Sequence, residues 1–187
     1  RFFNKLKCGL PGIHNVENAV AALAVCDQLG LNVERLREPL ASFRGVMRRF
    51  DVHIKRDELV YIDDYAHHPQ EIAVLLQSVK ELYPGKRITT VFQPHLYSRT
   101  RDLANEFAEA LSETDELILL ELYPAREEPI EGIDSRWLSR KVRLENVPVC
   151  KKEQLMNLLK ERDLEVLLTV GAGDIDALVP TINQYYQ

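Results

Sequence analysis

Short apolar runs alternate with helix-period stripes through most of this chain, and that alternation restricts it to one architecture. Leu59-Val60-Tyr61-Ile62, the stretch 87–92, Leu117-Ile118-Leu119-Leu120 and the stretch 166–170 have the length and composition of strands. Between them Ile72, Leu75, Leu76, Val79 and Leu82 recur at helical spacing on one face, as do Leu103, Phe107, Ala110 and Leu111. Further helices are predicted near Trp137, over 154–159 and from about Asp174, with a short extended piece at Val147-Pro148-Val149. Strands alternating with helices imply parallel βαβ units with right-handed crossovers. The expected fold is α/β, a mostly parallel sheet flanked by helices. Val52-His53-Ile54-Lys55 and Leu59-Val60-Tyr61-Ile62, joined by Arg56-Asp57-Glu58, add a β-hairpin at its start.

The first part of the chain has a different grammar. Residues 2–7 have the mixture of a short strand, and Gly9-Leu10-Pro11-Gly12 punctuates it as a turn. Val16, Ala19, Val20, Leu23 and Ala24 predict a helix over 15–29, stopped by Gly30 where a C′ glycine belongs. A second helix is predicted over 33–43, with Leu36 and Leu40 one turn apart. Residues 44–50 carry no stripe and read as a connector, so the expected domains are 1–45 and 46–187. Residues 123–135, with two prolines and four acidic side chains, read as a long loop of the kind that often carries function.

Composition narrows the function classes. A net charge of -5 without a basic block argues against nucleic acid or an anionic membrane as partner. No apolar run approaches the roughly 18 residues needed to cross a bilayer, and Arg1-Phe2-Phe3-Asn4-Lys5 lacks the apolar stretch of a signal peptide. Cys8, Cys26 and Cys150, odd in number and far apart, suggest a reducing compartment; the expected location is cytoplasmic. With no Cys-x-x-Cys, no structural zinc site is expected.

Two polar loops follow predicted strands. Asp63-Asp64-Tyr65-Ala66-His67-His68-Pro69 places two carboxylates, a phenol and two imidazoles before a helix that Pro69 opens. One of the carboxylates is free to act only as a helix cap, but the combination exceeds what capping requires. A metal site from His67, His68 and a carboxylate is disfavoured, because adjacent histidines after a strand usually point in different directions. Gln93-Pro94-His95-Leu96-Tyr97-Ser98-Arg99-Thr100 is the second loop, with His95 and Arg99 spaced to meet on one helix face and hold a carboxylate ligand. The competing reading is an ordinary solvated helix start. In an open α/β sheet such loops lie at the carboxyl ends of strands, where ligands bind.

Three weaker features stand beside them. Asn15 and Asn18 share a side of their helix, and an amide both donates and accepts, which suits a purine edge; the alternative is that Asn15 caps the helix. Arg48 and Arg49 offer forked guanidinium groups suited to phosphate, or are solvated surface. Gly171-Ala172-Gly173-Asp174 lets backbone N–H groups approach an anion, or Asp174 is a simple N-cap. No Gly-x-x-x-x-Gly-Lys-Ser/Thr phosphate loop and no nucleophile elbow occur anywhere.

Gly12-Ile13-His14-Asn15-Val16-Glu17-Asn18-Ala19, Arg48-Arg49-Phe50, Asp63-to-Pro69, Phe92-to-Thr100 and Tyr123-Pro124-Ala125-Arg126-Glu127, in that order, resemble the Mur ligases of peptidoglycan synthesis over nearly the whole chain. The resemblance implies a Rossmann-like C-terminal domain with a small antiparallel element, preceded by a helical segment from the end of a central ATPase domain. It implies an ATP- and magnesium-dependent ligation in which a carboxylate becomes an acyl phosphate and an amine attacks it. Within the family it is nearest to the branch that joins L-alanine to UDP-N-acetylmuramate. A murein-peptide recycling ligase and a non-catalytic nucleotide- or amino-acid-binding module are the alternatives.

Carried onto matching positions, the resemblance makes His14, Asn15, Asn18, Arg49 and Asp64 the ATP-binding residues. Asn15 and Asn18 would hold adenine, Arg49 the phosphates, and Asp64 would lie near ribose. Tyr65, His67, His95 and Arg99 would position alanine, with Arg99 on its carboxylate. No catalytic residue and no metal ligand is assigned to this chain; the magnesium ligands and phosphate loop are expected upstream, and oligomeric state is left open. Leu96 stands where many relatives carry arginine.

Overall fold

The computed structural model describes residues 5–10 and 12–187, the side chain of His14 excepted, and they form two compact units divided between Val46 and Met47. In the first unit α1 (Ile13–Gln28) starts earlier than its periodicity indicates, with Gly12 as N-cap and Asn15 already inside the first turn. Asn15 is therefore not the cap. At the other end Gly30 takes φ 75, which lets Leu31 N–H reach the Cys26 carbonyl and Gly30 N–H the Asp27 carbonyl, both at 3.0 Å. The helix read over 33–43 is instead a 3-10 turn, Val33–Leu36, running into α2 (Arg37–Ser42). Pro39 is the reason: it has no N–H for the Arg35 carbonyl, so one unbroken α-helix cannot form. The short strand over 2–7 falls partly outside the described residues, and Lys5, Leu6 and Lys7 are not in a strand; the turn at 9–12 includes Pro11, also outside them.

In the second unit β1 (Asp51–Lys55) and β2 (Val60–Asp64) form the expected hairpin, with a bulge between Val52 and Ile54. There follow α3 (Pro69–Leu82), β3 (Ile88–Phe92), α4 (Tyr97–Asp102), α5 (Ala104–Leu111), β4 (Glu116–Leu120), α6 (Ser135–Ser139), β5 (Val149–Cys150), α7 (Lys152–Lys160), β6 (Val166–Val170) and α8 (Val179–Tyr186). The strands lie in the order β1-β2-β6-β3-β4-β5, and every pairing except β1–β2 is parallel. Parallel neighbours share a direction, so the carboxyl ends of β2, β6, β3 and β4 emerge along one edge.

Both faces of this sheet are covered, which is why β3 and β6 are buried at every position. Alternate residues feed two cores. Ile62, Phe92, Leu119 and Leu168 pack with Ile72, Leu76 and Phe107 from α3 and α5. Tyr61, Val91, Ile118 and Leu167 pack on the other side with Leu155, Ile175 and Ile182. The threonines buried within the sheet are satisfied in pairs, as Thr90 with Thr114 at 2.8 Å and Thr169 with Tyr61 at 3.0 Å.

Two expectations need correction. Leu82 does not join the buried face of α3; it is 41% exposed, because Tyr83 at the C-cap packs against the core one position later. The last helix does not run from Asp174. A 3-10 turn, Asp174–Leu178, precedes α8, whose Pro180 cannot donate to the Asp176 carbonyl. Leu76→Ala is expected to cost about 3 kcal/mol as a buried truncation, against about 0.5 kcal/mol for Leu82→Ala. Urea denaturation reads the difference; equal losses would return Leu82 to the core.

Candidate active site

The connector before β1 sets the geometry of the site. Arg48 and Phe50 both adopt positive φ, 61 and 49, which folds the chain back over the carboxyl ends of the strands. Arg48 Nε donates to Asp63 Oδ2 at 3.2 Å, Nη1 to the Gly173 carbonyl at 3.3 Å, and Nη2 to the Gly171 carbonyl. Its guanidinium carbon lies 5.0 Å from the centre of the Tyr65 ring. Arg48 is thus neither solvated surface nor free for phosphate. Arg49 is exposed and has no ion-pair partner among the described residues.

Neither aspartate caps α3. Asp63 is 1% exposed and accepts from Thr169 Oγ1 at 2.6 Å as well as from Arg48. Burial pushes its carboxyl above the ordinary range, with the Thr169 hydroxyl and the Arg48 charge pulling the other way. Asp64 uses both oxygens on the loop, accepting from Phe50 N–H at 2.7 Å and Ala66 N–H at 2.8 Å. The start of α3 is held instead by Glu71, which accepts from His67 N–H at 2.9 Å and His68 N–H at 3.1 Å. Burial raises the Glu71 carboxyl, but those amides and the neighbouring imidazoles outweigh it, and the group lies below its ordinary range.

The second loop comes to the first. Leu96 takes φ 72 and ψ 132, a conformation that costs any residue with a side chain. It is held there by Leu96 N–H on the Tyr123 carbonyl at 3.0 Å and by Thr100 Oγ1 on the Leu96 carbonyl at 2.8 Å. The strained turn lifts His95 out of line with α4, so its ring meets three neighbours. It stacks on Tyr123 at 5.7 Å with 15° between planes, faces His67 at 6.3 Å, and lies 3.3 Å by Nδ1 from Arg99 Nη1. Tyr65 completes the row, edge-on to His67 at 5.3 Å. Tyr65, His67, His95 and Arg99 thus form one line of contacts at the edge where β2 and β3 end.

Arginine only donates, so Nδ1 of His95 accepts and the ring proton sits on Nε2. Burial, the Arg99 charge and then His67 hold the His95 pKa below its ordinary 6.5, with Glu127 opposing. The ring is neutral at neutral pH.

Gly171 and Gly173 are not an anion cradle. Their carbonyls face Arg48, and a Cβ at Gly173 would stand 2.4 Å from Gln93 Oε1, one at Gly171 2.8 Å from the Gln93 carbonyl. They are small so that the β6 loop can close on β3. Asp174 is not the N-cap, a place Gly173 takes. Asp174 accepts from Gln93 Nε2 at 2.9 Å and pairs with Lys152. In the first unit Asn15 is half-buried and Asn18 exposed, and the His14 side chain lies outside the described residues. Among the described residues no three His, Cys, Asp or Glu side chains are grouped to hold a metal, and no helix is long and apolar enough to cross a membrane.

The residues that sequence reasoning passed over are Arg48 as a clasp, Glu71, Gln93, and, in the long loop, Tyr123 and Glu127. The signal for the last two was that loop's length and its prolines; nothing local marked the others. The lowered His95 pKa makes an acid-side prediction. The unfolded chain takes up its proton first, so stability falls as pH drops from 6.5 through the folded midpoint. A histidine NMR titration is expected to place His95 below 6.5, and Arg99→Gln to raise it; a midpoint at or above 6.5 in the unaltered protein contradicts the geometry.

Comparison with known proteins agrees with this architecture. The family described as Mur ligase, glutamate ligase domain, matches residues 48–173. A UDP-N-acetylmuramate–L-alanine ligase of Flavobacterium psychrophilum is 52% identical over 179 residues, 96% of this chain and 40% of the relative. One of Parabacteroides distasonis is 50% identical over 179 residues, 96% of this chain and 39% of its own. The crystal structure of UDP-N-acetylmuramate-alanine ligase from Thermotoga maritima superposes with a TM-score of 0.80 at 33% identity, covering 99% of this chain and 40% of that one. A murein peptide ligase from Psychrobacter arcticus, at 17% identity and a TM-score of 0.68 over 96% of this chain and 38% of its own, shares the fold. The chain therefore spans about 40% of the length of the curated relatives it matches. With the fold, the convergent loops and the matched residues 48–173 in agreement, this chain belongs to the Mur ligase family.

Proposed function

We infer that this chain is the amino-acid-accepting part of a ligase that joins L-alanine to UDP-N-acetylmuramate at the expense of ATP. The observation that carries the reading is the line of Tyr65, His67, His95 and Arg99 at one sheet edge. Identity of 52% to a ligase of that name supports alanine over a peptide acceptor. Residues 1–45 are then the end of the central ATP-binding domain and 46–187 the C-terminal domain.

In this reading the muramoyl carboxylate takes the terminal phosphoryl group of ATP and becomes an acyl phosphate. The alanine amine attacks the acyl carbon, a tetrahedral intermediate forms, the bond to phosphate breaks, and the amine gives up a proton as the amide is completed. The contribution of this chain is orientation. Arg99, already forked toward His95, holds the alanine carboxylate. His95 presents its Nε2 proton as a second donor, and Tyr65 and His67 line the remaining side. Arg49, exposed, meets nucleotide phosphate. Asp64, whose oxygens take the Phe50 and Ala66 amides, lies near ribose, and His14, Asn15 and Asn18 serve adenine. The sequence holds no phosphate loop, so in this reading the phosphate loop and the magnesium ligands belong to the rest of the full-length enzyme, with Arg49 adding one phosphate contact from this chain.

In the full-length ligase, Arg99→Ala is expected to raise the alanine KM by the equivalent of about 1.5–3 kcal/mol, the loss of a charged hydrogen bond, while the ATP KM stays unchanged. Unchanged alanine kinetics would remove Arg99 from the site. The 187-residue polypeptide alone is expected to show neither ATP hydrolysis nor alanine ligation; turnover above a blank would refute the division of labour.

A further inference from the structure

The helix that carries Arg99 has no cap of its own. Leu96 occupies the N-cap position of α4 without a side-chain acceptor and with φ 72. The acceptor comes from the long loop after β4, where Glu127 Oε2 takes the Ser98 N–H at 2.9 Å, 29 residues away in sequence. Its Oε1 takes the Ser98 hydroxyl. The Glu127 carboxyl is held below its ordinary range first by that hydroxyl and then by the Ser98 amide. A local turn aims it: Ala125 adopts φ 52, and Glu127 N–H bonds back to the Pro124 carbonyl at 3.0 Å. The same loop delivers Tyr123, whose ring stacks on His95 and whose N–H reaches the Pro94 carbonyl at 2.8 Å. One loop thus grips the Gln93-to-Thr100 segment at both ends of the His95–Arg99 pair.

Resting on the reading of Arg99 as the clamp for the incoming carboxylate, we propose that Glu127 is a positioning residue that fixes this clamp through Ser98. Glu127 makes no ion pair with Arg99 among the described residues; it acts on the turn that bears it. A carboxylate suits this place because it accepts two bonds at once, from an amide and a hydroxyl of one residue. An amide in its place keeps a single acceptor oxygen and turns a donor toward the other partner. The Ser98 hydroxyl accepts from that donor, so the two charge-assisted bonds become weaker neutral ones, and Arg99 and the His95 Nδ1 acceptor hold their 3.3 Å approach less firmly.

The test is a double-mutant cycle in the full-length ligase with L-alanine and ATP as varied substrates. Glu127→Gln is expected to raise the alanine KM about tenfold and leave the ATP KM unchanged. Ser98→Ala, which removes the hydroxyl bond and keeps the amide bond, is expected to give a smaller rise in the same direction. In an Arg99→Ala background Glu127→Gln is expected to add nothing, a result that general loss of structure does not produce. His95, followed by histidine NMR, is expected to titrate higher in Glu127→Gln, since the Arg99 charge that moves off holds it down more than the Glu127 charge holds it up; a lower midpoint means Arg99 has kept its place and counts against the proposal. If Arg99→Ala raises the alanine KM while Glu127→Gln and Ser98→Ala leave it flat, or if the Glu127 and Arg99 effects add in full, the role of Glu127 is overturned and the clamp stands. If Arg99→Ala itself is without effect, the clamp falls and Glu127's role falls with it.

Discussion

One buried ion pair underlies the whole functional edge. Asp63, next to last in β2, has its carboxylate almost fully enclosed, and a carboxylate taken out of water is tolerated only with excellent partners. Arg48 and Thr169 are those partners. The same guanidinium continues to the carbonyls of Gly171 and Gly173 beyond β6 and lies against Tyr65. A single side chain from outside the sheet thereby ties together the connector, the end of β2 and the loop after β6. Arginine suits the place because its fork presents several donors in fixed directions, which a lysine does not.

The remaining acidic groups of this edge follow the same logic. Asp64 holds the amides of Phe50 and Ala66, Glu71 those of His67 and His68, Glu127 the amide of Ser98, and Asp174 the Gln93 side chain. Ionised carboxylates are pure acceptors with several lone pairs, and loops are rich in amides without partners. Acids therefore serve here as architecture. What the line of Tyr65, His67, His95 and Arg99 presents is neutral or positive: a phenol, two imidazoles and a guanidinium. That balance suits a bound carboxylate better than a metal, and it is a property of how the acids are used rather than of how many there are.

The strained backbone belongs to the same economy of design. Leu96 at φ 72 is tolerated because Tyr123, Thr100 and the β3 end fix it on both sides, and its conformation turns His95 toward Tyr123 and His67 instead of along α4. Burial first and then the Arg99 charge keep the His95 ring neutral, and Arg99 on Nδ1 leaves its proton on Nε2.

Much of this was legible from the letters alone. Strands over 87–92, 117–120 and 166–170, each within a residue of the observed bounds, the hairpin, the C′ role of Gly30 and the meeting of two polar loops on one edge follow from local pattern, because burial pattern and backbone geometry are local and parallel neighbours share a direction. Proline positions would have foretold the broken helices at 33–42 and 174–186, had the missing N–H been counted. The use of each polar residue was another matter. That Arg48 is a clasp while Arg49 is exposed, that Asp63 is buried while Asp64 ties a loop, that Gly171 and Gly173 make room for Gln93 and that Glu127 caps a helix 29 residues upstream were decided by tertiary structure. A charged or small residue reads the same in sequence whatever it touches. Its partner is chosen by which strands lie side by side, and β6, arriving last, inserts between β2 and β3. Sequence determined where the chain would be buried and where it would turn; only packing decided which of its polar groups would hold the fold and which would be left for a ligand.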